Sequence, residues 1–166
     1  MRRADYIFLT KSNNGEQLRH LHKFLKRHNP QAKIIECNHV PRYLEQVDDQ
    51  ENTFPLSLLK GKKVAAISAI AVPESFENYL EELGAELVYK KRFIDHHRYR
   101  EKELIEFCKN AKKANAEFLL TTEKDAVRLP KLPEDIPPFL FLRVEIKILK
   151  GMEHFNNCVA QICLGR

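Results

Sequence analysis

Two short stretches of this chain hold the residue types that carry proton and phosphate chemistry. The first is Phe93-Ile94-Asp95-His96-His97-Arg98-Tyr99, a carboxylate beside two imidazoles. A histidine next to a carboxylate can serve as a general base or its partner, because its charge changes near neutral pH. The second is Leu119-Leu120-Thr121-Thr122-Glu123-Lys124-Asp125-Ala126-Val127-Arg128. Thr122 and Asp125 have the spacing of a helix N-cap with a carboxylate in the first turn. Lys124 and Arg128 add positive charge, and Thr122, Lys124 and Arg128 together suit an anion such as phosphate.

Each stretch also has plainer readings. Asp95, His96 and His97 can cap the helix that follows, or serve as ligands in a metal-dependent phosphoesterase. The latter chemistry needs several convergent ligands and upstream acidic motifs, which this chain lacks. Capping alone accounts for Thr122 and Asp125.

The elements that must position these residues alternate along the chain. Residues 5–10 read as a short strand, Ser12-Asn13-Asn14-Gly15 as a turn, and residues 16–28 as a helix with Leu18, Leu21, Phe24 and Leu25 on one face. His20, His22 and His28 of that helix are expected in solvent. A second strand covers residues 32–37, and a short helix is expected near Tyr43-Leu44-Glu45. Residues 63–70 are apolar on both faces, as in a central parallel strand. Pro73 opens a helix that Gly84 closes. A strand at 85–89, a helix at 99–114 with Leu104, Ile105, Cys108 and Ala111 inward, and a strand at 118–120 follow. A short helix at 124–129, a proline-rich loop at 132–138, a strand at 139–148 and a helix at 151–164 complete the pattern. Such alternation predicts an α/β fold with a mainly parallel sheet and flanking helices. Polar clusters at successive strand ends then face one crevice.

Composition narrows the function classes. With 166 residues the chain is long enough for one domain with a real core. No apolar run reaches the roughly 20 residues of a membrane span. No secretory signal pattern is visible. Cys37, Cys108, Cys158 and Cys163 have no zinc or redox spacing and read as reduced thiols. A net charge of +5 is compatible with an anionic partner. No aromatic-interleaved basic patch points to nucleic acid. The five glycines are too dispersed for a phosphate-cradling loop, so neither GxxxxGK[ST] nor GxGxxG is present.

Taken in order, these motifs resemble those of the tetraacyldisaccharide 4′-kinases, the lipid A kinases, over their C-terminal half. Residues 3–10 look like the last strand of the family's nucleotide-binding core. Gly61-Lys62-Lys63-Val64 running into Ala69-Ile70-Ala71-Val72-Pro73 is similar to its strand and glycine-containing turn. Phe93-Ile94-Asp95-His96 and Thr121-Thr122-Glu123-Lys124-Asp125-Ala126-Val127 resemble its two most specific signatures. The resemblance implies part of a P-loop kinase that moves the γ-phosphate of ATP, with Mg²⁺, to the 4′-hydroxyl of a tetraacyldisaccharide 1-phosphate. His96 would be the histidine of the aspartate–histidine dyad and Asp95 its orienting neighbour, with no protein-held metal in this chain. The dyad aspartate and the P-loop would lie in an N-terminal half, on the same or a separate chain. The expected setting is the cytoplasmic face of the inner membrane, in peripheral contact, with a lipid A disaccharide precursor as partner. By itself the chain is expected to be inactive, because the cradle for the ATP phosphates is missing. The family's Gly-Ile-Gly turn reads Ala69-Ile70-Ala71 here, and alanine adopts positive φ poorly. The strand at 5–10 is expected to present an open sheet edge. The rival functions are a non-catalytic anion- or nucleotide-binding module and a metal-dependent phosphoesterase using Asp95, His96 and His97.

Overall fold

The computed structural model describes residues 3–10, 16–49 and 51–165. The expected turn at Ser12-Asn13-Asn14-Gly15 lies outside them. Strands and helices alternate as β1 (Tyr6–Leu9), α1 (Glu16–His28), β2 (Lys33–Gln46), β3 (Thr53–Phe54), β4 (Lys63–Ser68), α2 (Pro73–Glu82), β5 (Glu86–Arg92), α3 (Glu101–Lys113), β6 (Phe118–Thr122), α4 (Glu123–Ala126), β7 (Phe139–Lys150) and α5 (Met152–Leu164). This is the α/β architecture with a mainly parallel sheet and flanking helices that the sequence predicts. The chain divides into two units, one of Pro41–Val144 and one of Met1–Val40 with Glu145–Arg166.

In the Pro41–Val144 unit the strands run β7-β6-β4-β5, each parallel to its neighbour. Side chains alternate across this sheet. Ala65, Ile67 and Leu119 enter one core with Leu104, Phe107 and Ala111 of α3. Val64, Ala66 and Leu120 enter a second with Phe76 and Leu80 of α2. Helices therefore cover both faces, which is why β4 reads as an unbroken apolar run. Pro73 sits in the first turn of α2, where its missing N–H costs nothing. Gly84 ends that helix at φ +87, a conformation glycine adopts freely.

The other unit pairs β1 with β2 in parallel, Tyr6 opposite Lys33 through Leu9 opposite Glu36. β1 is the outermost strand in the order β1-β2-β7, as expected of an edge. Leu25, Ile35, Cys37 and Cys158 are buried, and Phe8 meets Phe155 edge-on at 6.2 Å. All four cysteines are free thiols.

Three local expectations are corrected. Tyr43-Leu44-Glu45 is strand, not helix: β2 continues to Gln46, with Leu44 and Glu45 paired to Phe54 and Thr53. Leu44 is fully buried there, and the antiparallel partner satisfies the backbone that a helix would have to satisfy internally. His22 is not simply solvated, because its Nε2 lies 2.8 Å from the buried Glu36 carboxylate. Helix α3 starts at Glu101 rather than Tyr99, since the Tyr99 ring is buried against Phe93 before the helix begins.

Candidate functional site

The site lies at the carboxyl ends of β4, β5 and β6. From β4 the chain continues to β5 on one side, and from β6 to β7 on the other. Connections that diverge from adjacent parallel strands leave a crevice between them. Two backbone bonds tie the segment after β5 to the end of β4: Phe93 N donates to Ser68 O at 2.9 Å, and His96 N donates to Ala69 O at 3.2 Å.

His96 and His97 are adjacent in sequence but do different things. His97 is fixed. Its ring stacks on Phe93 at 4.4 Å and meets Tyr99 edge-on. Its Nε2 is 2.9 Å from Glu103 Oε2, and the same carboxylate oxygen accepts the Arg100 N–H at 2.9 Å. The hydrogen bond with His97, followed by that with Arg100, holds the Glu103 carboxyl below its ordinary pKa. His96 instead has φ +62 and a side chain 76% exposed. A left-handed backbone on a residue with a Cβ costs about 1 kcal/mol or more and persists where its surroundings impose it. It turns this imidazole out of the layer that holds its neighbour.

The other signature meets His96 through Arg128, whose Nη2 lies 3.2 Å from His96 Nδ1. A guanidinium only donates, so Nδ1 is the acceptor and the neutral ring carries its proton on Nε2. That Nε2 is 3.8 Å from Asp95 Oδ2, an ion-pair separation longer than a hydrogen bond. Arg128 is thus the hydrogen-bonded partner of His96, and Asp95 lies beyond on the opposite ring nitrogen.

Asp125 lies beneath both and is fully buried. Its Oδ2 accepts the Ala69 N–H at 3.0 Å and the Thr122 hydroxyl at 2.7 Å. Thr122 Oγ1 in turn accepts the Asp125 N–H at 3.2 Å, so the Thr122 hydroxyl is engaged as the N-cap of α4. Arg128 N donates to the Asp125 carbonyl at 2.8 Å. Asp125 Oδ1 and the Tyr99 hydroxyl are both buried and, among the described residues, neither has another hydrogen-bond partner. Burial first, then the Asp125 charge, pushes the Tyr99 phenol well above its ordinary pKa. Lys124 is exposed on α4, and the neighbouring Glu123 pairs with Arg143 at 2.9 Å.

The Ala69-Ile70-Ala71 turn needs no glycine. Among the described non-glycine residues only His96, Asn115 and Asp135 have positive φ. Alanine therefore fits a turn that offers one N–H to Asp125 and one carbonyl to His96. The two imidazoles do not converge, because His97 faces Glu103 while His96 faces Arg128. Among the described residues no group of three or more His, Cys, Asp or Glu side chains is placed to hold a metal ion. Sequence reading singled out Asp95, His96, Thr122, Lys124 and Arg128. It missed the support from Glu103 and the buried Tyr99, whose only sequence signal was their nearness to the His pair.

A parallel α/β unit with a solvent-facing histidine, an arginine on its ring and a buried aspartate below has the form of an α/β strand-end site. Residues 1–163 match the family described as "Tetraacyldisaccharide-1-P 4'-kinase" (LpxK), and the chain belongs to that family. Tetraacyldisaccharide 4'-kinase of Anaeromyxobacter sp. (strain Fw109-5) is 33% identical over 160 residues, covering 93% of this chain and 41% of the relative. The protein of the same name from Syntrophus aciditrophicus is 40% identical over 107 residues, 64% of this chain and 28% of the relative. The crystal structure of LpxK from Aquifex aeolicus in complex with ATP shares the fold, with a TM-score of 0.50 at 18% identity over 96% of this chain and 52% of that one. The chain thus spans less than half the length of these curated relatives. Family membership does not favour the reading as a non-catalytic anion-binding module.

Proposed function

We propose that this chain supplies the histidine-bearing part of an ATP-dependent kinase that phosphorylates the 4′-hydroxyl of tetraacyldisaccharide 1-phosphate in lipid A synthesis. The observation that carries the reading is His96: solvent-facing, held at a strained backbone angle at the strand ends, and capped on Nδ1 by Arg128. Phosphoryl transfer needs positioning and charge compensation more than covalent chemistry. Arg128 suits the charge on the transferring phosphoryl group, and Lys124 adds a second exposed cation. When Arg128 turns to a phosphate it leaves His96 Nδ1, whose lone pair can then take the proton of the acceptor hydroxyl. Asp95, on the Nε2 side, stabilises the imidazolium that results. Thr122 shapes the corner by capping α4.

No phosphate-cradling glycine loop is present in the sequence, and no acidic cluster for a cation occurs among the described residues. ATP and Mg²⁺ are therefore assigned mainly to a P-loop half, on the same or a separate chain. We place the working enzyme peripherally on the cytoplasmic face of the inner membrane. Exposed Met152, Ile162 and Leu164 on α5, and exposed Leu21 and Phe24 on the basic helix α1, support a lipid-facing surface. Among the described residues no helix is long and apolar enough to cross a membrane.

The test is His96→Ala in a complete kinase that contains this chain, assayed with ATP and the tetraacyldisaccharide acceptor. Loss of a general base predicts a fall in kcat of about 100-fold or more, with an unchanged melting temperature. An unchanged kcat removes His96 from the mechanism.

A further inference from the structure

We infer that Asp125 is the positioning residue for His96, its carboxylate holding the His96 backbone through Ala69 so that the ring stays beside Arg128. The inference rests on the reading of His96 as the catalytic base. Two chains of contact run from the one buried aspartate. From the carboxylate, Oδ2 accepts the Ala69 N–H at 3.0 Å, and the Ala69 carbonyl accepts the His96 N–H at 3.2 Å. From the backbone, the Asp125 carbonyl accepts the Arg128 N–H at 2.8 Å, and Arg128 Nη2 reaches His96 Nδ1 at 3.2 Å. Both paths end at His96, one on its backbone and one on its ring, and only the first depends on the Asp125 side chain.

The first path explains why an exposed histidine keeps a left-handed backbone. An exposed loop residue with a Cβ relaxes to negative φ unless something outside the loop prevents it. Ala69 is fully buried and cannot shift toward solvent while its N–H is bound to the carboxylate. Thr122 donates its hydroxyl to the same oxygen at 2.7 Å, fixing the carboxylate in turn. Asp125 takes no part in proton transfer, because it has no exposure to the crevice. Its contribution is the backbone angle at which His96 presents its ring to the acceptor hydroxyl. Angle and distance errors of this kind are costly in transfer reactions.

The experiment combines NMR on the 166-residue chain with kinetics on the complete kinase. In the chain, His96 ring ¹⁵N shifts report which nitrogen carries the proton, and hydrogen exchange reports the Ala69 amide. Asp125→Ala is expected to speed Ala69 exchange by about tenfold or more and, by releasing the His96 backbone from its place beside Arg128, to turn the single Nε2–H tautomer of His96 into a mixture. Asp125→Asn keeps one oxygen that can accept both bonds, so both readouts are expected to stay as in the parent. If Asp125→Ala does not fold, Thr122→Val removes one of the two anchors and is expected to move the same readouts part of the way. A folded variant lacking Asp125 or the Thr122 hydroxyl, with the His96 tautomer and Ala69 exchange both unchanged, overturns the inference. In the complete kinase, Asp125→Ala is expected to lower kcat with the KM for ATP unchanged, and Asp125→Asn to restore it. If the NMR readouts move while neither Asp125→Ala nor His96→Ala alters kcat, the positioning role stands and the kinase reading of His96 falls.

Discussion

Arg128 Nη2 sits 3.2 Å from His96 Nδ1, across 32 residues of sequence. The contact joins the two signatures into one site and fixes the acceptor nitrogen of the histidine. Arg128→Ala should leave the His96 ring free to populate both tautomers, visible in ring ¹⁵N shifts. In the complete kinase it should reduce kcat/KM by about 10-fold or more, as loss of a charge-assisted contact to phosphate implies. Arg128→Lys should recover the charge but not the directed bond to Nδ1.

The two adjacent histidines should respond in opposite ways. In the complete kinase His96→Ala should lower kcat by about 100-fold or more with folding intact, and His96→Gly should melt at the same temperature as the parent or slightly higher, because glycine accepts φ +62 without strain. His97→Ala removes a ring packed against Phe93 and Tyr99 and takes one of two hydrogen-bond partners from Glu103. It should cost about 1–3 kcal/mol in urea denaturation.

Glu77 is buried and paired with Arg92 Nε at 2.7 Å and Lys90 Nζ at 3.1 Å. The Arg92 hydrogen bond, opposed by burial and helped by Lys90, holds its pKa below the ordinary 4.5. A carboxyl with a lowered folded pKa stabilises fully above the unfolded value and loses that stabilisation as pH falls through the folded one. Glu77→Gln should therefore be less stable than the parent at pH 7, by about 1–2 kcal/mol because both cations are partly solvent-screened. The gap should close as pH drops below 4.5 toward the lowered folded value. Urea midpoints measured across that range check the sign.

Gly151 joins β7 to α5 at φ +81, and a Cβ there would lie 2.8 Å from the Ile34 carbonyl oxygen. Backbone cannot retreat as a flexible side chain would. Gly151→Ala should destabilise by more than about 1 kcal/mol, seen as a lower melting temperature. The same change at Gly61, whose Cβ would meet nothing within 4 Å, carries only the strain of φ +71 and should cost less.

The sequence by itself determined the α/β alternation, the bounds of α1, the buried run of β4, Pro73 and Gly84 as the ends of α2, and the residues of both signatures. These are local matters: apolar period, proline and glycine conformations, and capping spacing act over a few residues and leave their mark there. The tertiary structure alone decided the rest. Tyr43-Leu44-Glu45 became strand because β3 was available to pair with it. His96 and His97 share a residue type and a neighbourhood, and only packing against Phe93, Tyr99 and Glu103 set one apart as structural. Asp125 has the spacing of a simple cap, yet its carboxylate reaches Ala69, 56 residues away. Such a bond depends on β4 and β6 lying side by side, and strand adjacency in a parallel sheet is set by the packing of helices on both its faces, which no local stretch of sequence encodes.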